Sequence, residues 1–275
     1  LSNLLILDHS FWYGYIDNNP IELYKEYVQL QIKAFPSLYS QNLLKMEKNN
    51  KIKIGVISAG LIPLSKLNNV NIHSSSISDS FYSTFLNLSK DKFEVIFIYY
   101  GHENLNIQGD KNIYIPKINS TVEEIEKIQR KIGLLNLDFL LYLDLHIEPM
   151  LNFIALTKLA KIQMCTHGHP VTSGIPRDIM NYFISWEAAE TKNAQENYTE
   201  ELILISKDVV WEHFVPRNSK DNISMLTGVK WGDLKREDLT FLPKDINYDK
   251  NWYFCAQATF KFNYKFDYIL KNILE

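Results

Sequence analysis

Residues 138–167, "DFLLYLDLHIEPMLNFIALTKLAKIQMCTH", decide the fold. The run "DFLLYLDL" reads as a strand buried on both faces. "PMLNFIALTKLA" reads as a helix whose proline falls in the first turn, where a missing N–H costs nothing. "KIQMCTH" closes the unit as a second apolar strand. A strand, a helix and a strand in about 30 residues form a βαβ unit with its two strands parallel.

The pattern extends both ways. Upstream, "IKIGVIS" predicts a strand from about Lys53 to Ser58, "SFYSTFLNL" a helix from about Ser80 to Leu88, and "FEVIFIYY" a strand from Phe93. "NIYIP" is a short strand. The segment from Thr121 to Ile132 is a helix opened by Ser120 or Thr121, whose hydroxyl can accept a free helix amide. Downstream, "MNYFIS" and "ELILI" supply two more strands. Strands alternating with helices predict an α/β fold, a parallel sheet covered by helices on both faces.

Residues 51–206 make up this lobe. Residues 1–50 read as a helical lead-in, with Ile21, Leu23, Tyr27, Leu30 and Ile32 at helical spacing. Residues 207–250 have mixed polarity, scattered prolines and weak periodicity, and read as a crossover. Within 251–275, "NWYFCAQATFKF" and "FDYILKNIL" read as the strand, loop and helix that open a second lobe. The chain starts on Leu1 and ends on "YILKNILE" inside a helix, as an internal piece of a longer protein would.

With 275 residues, 46% of them hydrophobic, the chain can bury a substantial core. Its 29 basic and 32 acidic residues leave a formal net charge of -3, so no cationic footprint marks it as a partner of nucleic acid. No apolar run approaches the ~20 residues that span a bilayer, and no secretory signal opens the chain, so a cytoplasmic location is expected. Cys165 and Cys255 lie in strand-like apolar surroundings, which points to buried thiols in a reducing compartment.

In sheets of this kind ligands bind beyond the carboxyl ends of the strands. His73 follows the first strand, Asp144 and His146 end "LYLDLH", His167 and His169 end "QMCTHGHP", and Gln257 and Lys261 end "YFCAQATFK". Polar chemistry is densest in residues 165–176, "CTHGHPVTSGIP". Cys165, His167 and His169 alternate as ligands on one strand face would. Zinc sites, however, draw ligands from separate segments, and the chain leaves the strand by Gly168, so a metal is disfavoured. Neither Cys165 nor Ser173 stands in a G-x-S-x-G elbow, which argues against a hydrolase. There is no Walker A and no G-x-G-x-x-G. Two readings stay open: a loop whose hydroxyls and N–H groups surround a diphosphate or sugar, or a turn rich in Gly, Ser, Thr and Pro.

The motifs together resemble a known family. Asp144 at a strand end, then "LAKIQ", "GHPVTSG", "NYFIS" and "YTEEL" follow in the order found in the catalytic region of the O-GlcNAc transferase family, especially its bacterial relatives and the neighbouring protein glucosyltransferases. The resemblance covers about residues 51–275. It implies a two-lobed GT-B glycosyltransferase fold, with the acceptor protein held mainly by the first lobe and a UDP-sugar mainly by the second.

The implied reaction is inverting transfer of GlcNAc or glucose from the UDP-sugar to a protein side chain, serine or threonine, with asparagine the other candidate. The UDP-sugar is a co-substrate, and no cofactor or metal is implied. By motif, Gly168, His169, Pro170, Thr172 and Ser173 border the donor, and Gln257 lies near its phosphates. Lys261 faces the leaving diphosphate, and His73 lies near the acceptor hydroxyl. The sequence departs from the family at "AGLIPLSKLNNVNIH", where the family's D-F-x-x-H is missing. That departure motivates the alternative, a catalytically degenerate GT-B-like module that binds protein.

Overall fold

The computed structural model describes residues 21–39, 48–61, 76–101, 112–116, 121–168, 172–208 and 264–274. Seven strands, β1 (Ile52–Ser58), β2 (Phe93–Tyr100), β3 (Ile113–Ile115), β4 (Leu137–Tyr142), β5 (Ala160–Thr166), β6 (Tyr182–Trp186) and β7 (Glu201–Ile205), form one sheet. Every pairing is parallel, and the order is β3-β2-β1-β4-β5-β6-β7. The chain winds outward from β1 to one edge, then returns to β4 on the other side. The order therefore reverses between β1 and β4, where Ile54 pairs with Phe139 and Ile57 with Tyr142.

Side chains alternate between the two faces of a strand, and each face builds its own core. On one face Ile57, Ile98, Tyr100, Leu140 and Tyr142 pack with helices α1 (Ile21–Ala34), α3 (Val122–Gly133) and α4 (Pro149–Ala155). On the other, Val56, Phe97, Tyr99 and Leu141 pack with Phe81, Tyr82 and Phe85 of helix α2 (Ser76–Leu86). This is the expected parallel sheet covered on both sides. A last helix, α5 (Tyr264–Leu274), falls where "FDYILKNIL" predicts one. Among the described residues, no helix is long and apolar enough to cross a membrane.

Three local expectations need adjustment. Helix α2 begins four residues before Ser80, inside the serine run, and stops two before Leu88. Helix α4 ends at Ala155 rather than Ala160: Gln163 Oε1 accepts the Leu159 N–H at 2.7 Å, turning the chain into β5. In α1 the buried stripe is Ile21, Tyr24, Tyr27, Val28 and Gln31, while Leu23 and Leu30 are 39% and 48% exposed. The helix is as expected, but a tyrosine face, not the leucines, meets the core. Val28 and Leu38 share the core of the sheet, and Gln129 Nε2 of α3 donates to the Leu38 carbonyl at 3.1 Å.

Candidate functional site at the carboxyl ends of the strands

The strand order reverses between β1 and β4, the place where sheets of this kind bind ligands, and a buried aspartate organises the turns that follow the two strands. Asp144, two residues beyond β4, has no solvent exposure. Its Oδ2 accepts from Ser58 Oγ at 2.8 Å and from the Gly60 N–H at 2.7 Å, and its Oδ1 from the Ala59 N–H at 3.3 Å. Ser58 Oγ in turn accepts from the Gly60 and Leu61 amides at 2.8 and 3.0 Å. The turn after β1 is thereby shaped from inside by one carboxylate. Burial pushes the Asp144 carboxyl up to about 6, against the pull of its hydrogen bonds from Ser58, Gly60 and Ala59.

The exit of β5 packs directly on this turn region. A Cβ at Gly168 would lie 1.9 Å from the Leu143 carbonyl oxygen, so only glycine lets the two backbones approach this closely. His167 sits beside it, its Nδ1 3.1 Å from Thr166 Oγ1 and its ring 5.3 Å from that of Phe81. Cys165 is buried, and its thiol is pushed up by burial, reinforced by Glu200 3.6 Å away. A thiol held protonated in this way is a poor nucleophile and a poor metal ligand. Among the described residues no group of three His, Cys, Asp or Glu side chains could hold a metal ion.

The loop from Thr172 onward is stapled from its inner side. Glu200, fully buried just before β7, accepts from Thr172 Oγ1 at 2.7 Å, from the Ser173 N–H at 2.7 Å, from Ser173 Oγ and from Thr199 Oγ1 at 3.1 Å. Thr172 Oγ1 also accepts the Gly174 and Thr199 amides, and Ser173 Oγ accepts that of Ile175. Glu200 is itself held by its main chain, since Gln195 Nε2 and an Arg177 guanidinium nitrogen donate to its carbonyl at 2.8 and 3.1 Å. The Thr172 and Ser173 hydroxyls and the amides of Ser173, Gly174 and Ile175 each meet an acceptor, which is what burial demands.

On its other side the loop leans on α1. Gly174 has a φ of +73°, and a Cβ there would meet the Tyr24 backbone at 2.5 Å. His146 Nε2 donates to the Thr172 carbonyl at 3.1 Å while its ring stands 4.9 Å from that of Tyr24. Burial holds the His146 imidazole down at about 4, so it is neutral at ordinary pH.

Of the residues singled out in the sequence, Gly168, Thr172 and Ser173 are brought together at this end of the sheet. Gly168 acts through the backbone approach it permits. The Thr172 and Ser173 hydroxyls are hydrogen-bonded inward to Glu200. His73, His169, Pro170, Gln257 and Lys261 lie outside the described residues. The organising residue that sequence reasoning passed over is Glu200. Its only signal was its place in "YTEEL", where Glu200 falls on the fixed glutamate of the resembled Y-[ST]-E-x-L pattern without a role being attached to it.

No protein-family model matches the sequence, and no curated protein does. Among solved structures, a mutant O-GlcNAc transferase from Thermobaculum terrenum is similar, with a TM-score of 0.50 and 12% identity, over 69% of this chain and 35% of that one. At that identity the likeness is one of fold, an α/β lobe of the Rossmann-like GT-B kind. The chain spans about a third of the length of that transferase.

Proposed function

We propose that this chain belongs to an inverting glycosyltransferase that moves GlcNAc or glucose from a UDP-sugar to a protein side chain, serine or threonine, with asparagine the other candidate. The observation that carries this reading is the position of the loop that begins at Gly168. It leaves the end of β5 against the backbone after β4, beside the point where strand order reverses, in a fold shared with an O-GlcNAc transferase. Motif resemblance and ligand-binding topology thus converge on one loop.

In this reading the acceptor atom, a serine or threonine oxygen or the asparagine amide nitrogen, forms a bond to the anomeric carbon as the bond from that carbon to the diphosphate breaks, and a proton leaves the acceptor atom. His73 orients the acceptor hydroxyl or takes its proton. Lys261 stabilises the negative charge that develops on the leaving diphosphate, so no metal is needed for that purpose. Gly168, His169, Pro170, Thr172 and Ser173 border the donor, with Gln257 near its phosphates. Thr172 and Ser173 contribute through the shape of the loop, their hydroxyls being engaged with Glu200.

That inward engagement also favours a second reading, a GT-B-like module that keeps the fold and binds protein without transferring sugar. Labelled UDP-GlcNAc and UDP-glucose, offered to the full-length protein with candidate acceptor proteins, separate the two. Labelled protein is expected, and Lys261→Ala should lower turnover at least tenfold, about 1.4 kcal/mol of transition-state stabilisation. Unchanged turnover in that variant removes Lys261 from the mechanism. No transfer to any protein by the wild type leaves the binding module.

A further inference from the structure

We infer that Glu200 is the positioning residue of the donor loop, a buried carboxylate that fixes the backbone of residues 172–174 from behind and so sets the affinity for the sugar diphosphate. The inference rests on the glycosyltransferase reading for its ligand, but its structural half stands on contacts alone. Among the described residues, every group hydrogen-bonded to the Glu200 carboxylate is a donor: the Thr172, Ser173 and Thr199 hydroxyls, the Ser173 amide and the Cys165 thiol. An acceptor-only group is therefore required at this place. The two hydroxyls that it fixes accept the Gly174, Ile175 and Thr199 amides in turn, so the orientation of three further peptide units depends on it.

The substitution Glu200→Gln keeps shape and volume but places an NH2 among donors. The amide oxygen can still serve the Ser173 N–H, which has no other role available. The NH2 then faces Thr172 Oγ1, which already accepts two N–H groups, and Thr199 Oγ1, and both hydroxyls must turn round. Local loosening is expected rather than unfolding, because the short contacts of the Glu200 carboxylate go to Thr172, Ser173 and Thr199, and its one tie to a sheet core is the long contact with the Cys165 thiol at 3.6 Å. Ser173→Ala removes one of the same contacts from the other end, with no change of charge.

The test uses the full-length protein and two readouts. Hydrogen exchange at the amides of residues 173–175 should accelerate at least tenfold in Glu200→Gln, with amides of β1 and β4 at wild-type rates. Affinity for UDP-GlcNAc or UDP-glucose, measured by calorimetry, should fall at least tenfold in Glu200→Gln, while KM for the acceptor protein stays unchanged. Ser173→Ala should move both readouts in the same direction by a smaller factor. Loss of protection throughout β1 and β4 would make Glu200 a residue of the general fold and overturn the inference. Unaccelerated exchange at 173–175 overturns it as well, and so does accelerated exchange with donor affinity at the wild-type value. A wild type that binds neither UDP-sugar, with the loop still loosened in Glu200→Gln, refutes the glycosyltransferase reading instead and leaves Glu200 as the lock of the loop.

Discussion

Two buried ionisable residues flank the candidate site, and burial drives both toward their neutral forms. Asp144 is raised from 3.8 to about 6, so the folded chain binds this proton more tightly than the unfolded one. Its contribution to stability is full below pH 3.8 and is lost as pH rises through about 6. His146 is lowered from 6.5 to about 4, so its contribution is present above pH 6.5 and is lost as pH falls through about 4. Each displacement corresponds to roughly 3 kcal/mol, and the two oppose one another in the same window. Their sum leaves the wild type little slope from this pair. Between pH 6.5 and 4, urea-measured stability of Asp144→Asn should fall by roughly 3 kcal/mol relative to wild type. That of His146→Gln should rise by a similar amount. If both variants follow the wild-type curve, burial does not control these groups.

At the scale of elements, the strands were legible because β-branched and apolar runs such as "IKIGVIS" and "FEVIFIYY" carry their own signal. Helix faces were less so. Leu23 and Leu30 looked like core residues of α1, yet Tyr24 and Val28 are the fully buried ones. Periodicity permits either face, and what decides is the partner surface, here His146 and the bare backbone of Gly174. Tyr24→Ala should therefore cost about 3–5 kcal/mol in urea denaturation, and Leu23→Ala and Leu30→Ala less than about 1 kcal/mol each. Equal costs would place the wrong face of α1 on the sheet. The same limit hid Glu200. The motif "YTEEL" gives Glu200 a place but no partner until the Thr172 and Ser173 hydroxyls, nearly thirty residues away in sequence, show what its carboxylate holds. The early end of α4 has the same kind of cause, since the Leu159 amide finds its acceptor in the side chain of a later strand residue, Gln163.

For the whole molecule, alternating strands and helices were enough to expect a parallel sheet, and the order β3-β2-β1-β4-β5-β6-β7 adds where a ligand belongs. The turn after β1, the turn after β4 and the exit from β5 meet at the reversal of that order, joined by Asp144 and by the approach of Gly168 to Leu143. "GHPVTSG" begins at that junction. The coincidence of motif and topology is the reason to expect a sugar nucleotide there rather than a turn with no ligand. Calorimetric titration of the full-length protein with UDP tests this most directly. The account expects saturable binding at one site, weakened at least tenfold by Lys261→Ala. A protein that binds its acceptor but releases no heat with UDP at any concentration up to the millimolar range, and shows no competition by UDP-sugars, would contradict it.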